Sequence, residues 1–150
     1  MSQSLISRVM STRAGWAPLA LRLPVGIIFA AHGAQKLFGW FGGYGLTGTA
    51  QWMESIGLAP GVLMVLLAGG AEFFGGLALI VGLLVRPAAL ALSVAMLVAI
   101  FTVHISHGLF MSNNGYEFAL ALLAASVSLL ISGGGSASVD AAIAGDEGSR

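Results

Sequence analysis

The chain contains no cysteine. That absence excludes a disulfide framework, a thiolate metal site, an iron–sulfur cluster held by cysteines and any thiol relay within this polypeptide. Charge is nearly as scarce, with six basic and six acidic side chains among 150 residues, 8% of the chain, and three histidines. Ordinary soluble domains carry about 25% charged residues. So few polar groups cannot cover a water-facing surface. The formal net charge is zero, which argues against a nucleic-acid partner, because phosphate backbones select basic patches.

What remains is apolar: 57% of the residues are hydrophobic and the mean hydropathy is +0.95. Uninterrupted apolar runs of about 20 residues suffice to cross a bilayer as helix. Four such runs are found, from about Pro18 to Phe41, Gly61 to Val85, Pro87 to His107 and Tyr116 to Ser132. The expected fold is all-α, an integral membrane four-helix bundle occupying residues 17–132. Membrane lipids are its first partner.

Orientation follows from basic residues. Arg8, Arg13 and Arg22 precede or open the first span and Arg86 sits between the second and third, while the loops near 42–60 and 108–115 hold no Lys or Arg. The positive-inside rule then puts both termini in the cytoplasm. Residues 1–16 are a cytoplasmic N-terminal segment, with Leu5, Ile6, Val9 and Met10 on one helical face; an interfacial helix and a frayed terminus are both open. Residues 133–150, small, polar and acidic, are expected to be a disordered cytoplasmic tail. The Gly-rich outer loop between the first two spans contains a helical stretch at about Thr47–Ile56, either a lid lying on the membrane or part of an ordinary outer loop. Asn114, with Glu117 three residues on, has the spacing of a capping box at the start of the fourth helix, and Pro87 suits a first helical turn.

Ionisable residues inside these runs are the informative ones, since a charge in hydrocarbon costs roughly 2.5–3.5 kcal/mol on insertion scales. At 100° per residue His32 and Lys36 lie about 40° apart on the first helix, with Arg22 within about 80° of His32. Glu72 shares its face of the second helix with Ala68, Gly69, Gly75 and Gly76, a stripe of small residues that should be buried against another helix. His104 and His107 are spaced i, i+3 at the outer end of the third. Lys36, His32 and Glu72 are therefore expected to form a buried polar cluster in a cavity open to the outer face, with His104, His107 and Glu117 nearby. Competing readings stand beside these. Glu72 with His32 can be a structural pair locking helix register, Lys36 can snorkel to the surface, Glu117 can be only a cap, and Arg22 can be a headgroup anchor rather than a pocket residue. The histidine spacing also permits a metal or haem with His32, although lone intramembrane histidines more often satisfy hydrogen bonds. No metal site is expected.

Arg22 opening the first span, "HGAQKLFG" closing it, "GGAEFFGGLALIVGLLVRPAAL" across the second and third, and "NGYEFALALLAA" entering the fourth together resemble the DoxX family of small bacterial membrane proteins. The resemblance covers about residues 17–132, and the matching positions are Arg22, His32, Gly33, Lys36, Glu72, Gly76, Arg86, Pro87, Gly115 and Glu117. It implies a multi-pass protein of the bacterial inner membrane in a family named after a subunit of a thiosulfate:quinone oxidoreductase, with other members tied to quinone or electrophile resistance and oxidative-stress defence.

Three functions compete on this basis. One is a quinone-linked redox component or quinone-binding subunit, in which Lys36 and His32 donate to a quinone's oxygens and Glu72 relays protons, with Arg22, His104, His107 and Glu117 at the pocket or its rim. Whether the chain is itself an enzyme stays open. Its electrons would come from a soluble or membrane oxidoreductase partner or a bound cofactor. The second is a carrier or exporter of a small hydrophobic or anionic compound, for which a homodimer is expected. The third is a scaffold that recruits a soluble oxidoreductase.

Overall fold

Each of the four apolar runs folds into helix. The computed structural model describes residues 5–148, with side-chain environments through residue 145; residues 1–4 and 149–150 of the two terminal segments lie outside the described residues. Among the described residues there are seven α-helices and no strand: α1 (Leu5–Met10), α2 (Ala17–Phe38), α3 (Gly45–Ser55), α4 (Gly61–Val81), α5 (Val85–Ala99), α6 (Glu117–Ser132) and α7 (Val139–Gly148). The helices over Ala17–Phe38, Gly61–Val81 and Val85–His107 are long and apolar enough to cross a membrane, and Glu117–Ser132 is a shorter apolar helix.

Helix α2 packs on α4, α4 on α5, α5 on α6, and α6 returns to α2. Glycine sets the closest crossing. A Cβ on Gly76 of α4 would stand 2.5 Å from the backbone nitrogen of Ala30 on α2, and one on Gly33 of α2 would overlap the backbone of Phe73 on α4. Main chains touch here, the arrangement small residues permit between apolar helices. The small-residue stripe of α4 is indeed its buried side: Gly69, Gly75 and Gly76 are buried, whereas Leu67 and Phe74 across the helix are exposed. The core proper is Phe29, Leu79, Val85, Leu92, Met96 and Leu129 with their neighbours.

The outer segment between α2 and α4 is half helical. Gly39 ends α2 in the left-handed conformation, a position that favours glycine. Helix α3 then buries Thr49, Ala50 and Met53, packing Ala50 and Met53 with Val65 of α4. Glu54 Oε1 accepts a hydrogen bond from Gly61 N at 2.9 Å, so a carboxylate at the end of α3 satisfies a free amide at the start of α4.

Three expectations are corrected. The third run is not one regular helix: α5 continues as a π-helical turn over Ile100–His104 and a 3₁₀ turn over Ile105–His107. No capping box forms before α6. Asn114 is left-handed, no side chain caps the helix, and Glu117 Oε1 instead accepts from Met111 N at 2.6 Å.

The third correction is the tail, expected to be disordered. Its composition is that of a solvated segment, but its polar groups have specific partners. Ser138 Oγ accepts from Ala141 N at 3.1 Å and caps α7. Asp140 is 1% exposed and accepts from Leu84 N at 2.7 Å and Val85 N at 2.9 Å, closing the amide-rich start of α5. At the other terminus residues 5–10 are helical, with Leu5 and Ile6 exposed and Met10 buried.

Candidate functional site

Lys36 leaves the last turn of α2 on the side facing α4 and meets Glu72. Its Nζ donates to Glu72 Oε2 at 2.5 Å, with side-chain exposures of 24% and 6%. The glycine-mediated approach of α2 and α4 makes this reach possible, and this is the ion pair found among the described residues. Pairing is the condition under which a carboxylate is tolerated in such surroundings.

The pair lies in the wall of a cavity of about 430 Å³ that also receives His32 from α2, Trp52 and Met53 from α3, Met96 from α5, Thr102 and His104 from the π-helical turn, and Phe118 and Leu122 from α6. A mostly apolar cleft of this size with a few convergent polar groups has the form of a small-molecule site. The ring of His32 stands 6.1 Å from that of Phe118, tilted by 40°.

The two cavity histidines are oriented by main-chain carbonyls. His32 Nδ1 is 2.9 Å from Ile28 O and His104 Nδ1 is 2.8 Å from Asn114 O. A carbonyl can only accept, so Nδ1 carries the proton in each case, and in the neutral ring Nε2 is left as an acceptor. The cavity is lined by two imidazoles, each an acceptor at Nε2 when neutral, and by the Lys36–Glu72 pair. His32 is exposed and has no hydrogen bond to that pair, so the expected buried cluster of the three is corrected to the pair alone.

Other candidates are placed elsewhere. His107 does not line the cavity; its Nδ1 turns back to Val103 O at 3.0 Å. The switch from α to π and then 3₁₀ geometry separates it from His104, which an unbroken helix would have kept on one face. Glu117 is exposed and holds the Met111 amide. No group of three His, Asp or Glu gathers in metal-binding geometry among the described residues.

Arg22 is neither a cavity residue nor a snorkelling anchor. It is 0% exposed, and its guanidinium donates to Leu79 O at 2.9 Å and Ala137 O at 2.6 Å. It joins α2 to the end of α4 and to the returning tail, beneath Gly82, where a Cβ would collide with the guanidinium. The ordered tail covers it, so it has no path to headgroups.

The helical stretch expected at about Thr47–Ile56 forms as α3 and supplies Trp52 and Met53 to the cavity, but nothing in the sequence announces the π-helical turn. Such turns recur at functional sites, but no residue type in "AIFTVH" marks one.

A family profile described as DoxX matches residues 17–105. A Bacillus subtilis (strain 168) protein named "Putative oxidoreductase CatD" is 35% identical over 115 residues, covering 77% of this chain and 78% of that protein. No solved structure matches the chain.

Proposed function

The chain belongs to the DoxX family, and on that premise we propose that it is a quinone-binding, redox-linked protein of the bacterial inner membrane. It crosses the bilayer four times through α2, α4, α5 and α6 with both termini in the cytoplasm. The cavity lies in the outer half of this bundle. The distribution of charge supports this orientation, with Arg8, Arg13, Arg22 and Arg86 toward one end and no Lys or Arg in the loops at the other. The relative's name supports a redox role.

The observation that carries the reading is the company kept by the Lys36–Glu72 pair: two carbonyl-anchored histidines in one apolar cavity of ligand size. A quinone couple changes between carbonyl oxygens and hydroxyl groups, taking up or releasing protons with its electrons. His32 and His104 offer acceptors for hydroxyl protons, and Lys36 stabilises negative charge developing on an oxygen. Glu72 holds the ammonium in place and receives its proton when the pair is neutralised. A partner oxidoreductase or a bound redox cofactor exchanges the electrons, since no thiol of the chain can.

Purification in mild detergent, followed by mass spectrometry and absorbance of what accompanies the protein, tests the assignment. Bound quinone or quinol is expected, and its loss in Glu72→Gln. An empty wild-type cavity that takes up neither form on addition would overturn it.

A further inference from the structure

At the end of the bundle opposite the cavity, a cleft of about 710 Å³ runs between Ser11–Ala14, the start of α5 at Arg86, and Ile131 and Ser132 at the end of α6. Arg86 spans it at the back. One Nη donates to Leu130 O at 2.9 Å and the other to Ser11 O at 3.2 Å, while its buried Nε has no partner. Carbonyls satisfy donors without neutralising the cation. Arg13 lines the same cleft with no hydrogen-bond or ion-pair partner among the described residues, and no carboxylate lines it.

Two guanidinium charges thus face one concavity without a described counter-charge. Its hydroxyls are already engaged: Thr12 Oγ1 donates to Ser132 O at 2.8 Å and accepts from Ala14 N and Gly135 N, and Ser132 Oγ donates to Gly133 O. Recognition is left to the free guanidinium of Arg13, whose planar fork matches the oxygens of a phosphate, and to the charge of Arg86 with the one N–H that each Nη keeps beyond its carbonyl bond. The surroundings add an apolar requirement. Ile131, 72% exposed, forms one wall, and Trp16, 70% exposed, opens α2 nearby, a residue type that favours the headgroup level.

We propose that this cleft binds the phosphodiester headgroup of an anionic phospholipid, with Arg13 and Arg86 on the phosphate and the acyl chains descending past Ile131. Basic pockets between helices at the cytoplasmic side have the charge for such lipids. The proposal is independent of what the cavity at the other end binds.

Native mass spectrometry and thermal unfolding of the full chain in detergent test it, with phosphatidylglycerol, phosphatidylcholine or inorganic phosphate added. Phosphatidylglycerol is expected to remain bound and raise the unfolding temperature, and phosphatidylcholine to do so several-fold less. Arg13→Gln changes an exposed side chain and is expected to unfold like wild type without lipid, yet to retain several-fold less phosphatidylglycerol. Arg86→Lys keeps the charge but gives up the two-armed hold on Leu130 O and Ser11 O that fixes it in the cleft, and should also bind less. Equal retention of the two lipids, or undiminished phosphatidylglycerol binding by Arg13→Gln, would overturn the proposal. Protection by inorganic phosphate equal to that by phosphatidylglycerol would overturn the lipid assignment and make the ligand a free phosphate.

Discussion

Lys36 and Glu72 meet across the crossing of α2 and α4, where Gly33, Gly69 and Gly76 bring the two backbones together. Helix packing and candidate chemistry therefore share one contact, and variants must separate the two. Removing one partner of such a pair leaves a charge in apolar surroundings, at about 3 kcal/mol. Lys36→Met and Glu72→Leu should each lower the unfolding temperature, and the double variant should recover most of it without regaining quinone binding. Recovery of binding along with stability would mean that the pair only locks the helices.

Steric tests of the crossing follow from the glycines. A methyl at Gly76 meets Ala30 N and Gly26 O, so Gly76→Ala should cost about 1–3 kcal/mol through overpacking. Gly70, one helical step away from the interface, has open space around it, and Gly70→Ala should be neutral or slightly stabilising. Thermal unfolding of the two variants side by side checks the assigned packing face.

The two cavity histidines should differ from the third. His32→Phe and His104→Phe keep an aromatic ring but remove an acceptor, and each should weaken quinol binding about tenfold. His107→Phe, outside the cavity, should leave it unchanged. Equilibrium titration of each purified variant with a short-chain quinol distinguishes them.

At the opposite end Asp140 closes the start of α5 through two amides. Asp140→Ala removes two charge-assisted bonds from a buried position, for a loss of about 2–4 kcal/mol. Amide hydrogen exchange should show faster exchange at Leu84 and Val85. Unaltered protection there would contradict the docking of the tail.

Much of the architecture was legible because hydrophobic runs report helices directly, and the ends of α2, α4 and α6 fell within a few residues of the apolar runs. The side of α4 that is buried was readable too, from the small residues beside Glu72. Long-range polar partnership was not. Ser138 and Asp140 look like solvated tail residues until Leu84, Val85 and Ala141 are placed beside them. His104 and His107 share a face only if their helix stays regular, and a change in hydrogen-bond register leaves no compositional trace. Arg22 shows the same gap: the sequence places it within about 80° of His32 on the first helix, but the carbonyls of Leu79 and Ala137 that enclose it leave no trace there.

Trp52 lines the cavity and can report its occupancy. With Trp16 and Trp40 changed to Phe, Trp52 is left as the one tryptophan of the chain's three, and its fluorescence can be titrated with a short-chain quinone in detergent. Saturable quenching is expected, weakened at least tenfold by Glu72→Gln and by His32→Phe. Quenching that rises without saturation and is the same in all three proteins would mean that the quinone merely partitions into the micelle, and would contradict a quinone site at the Lys36–Glu72 pair.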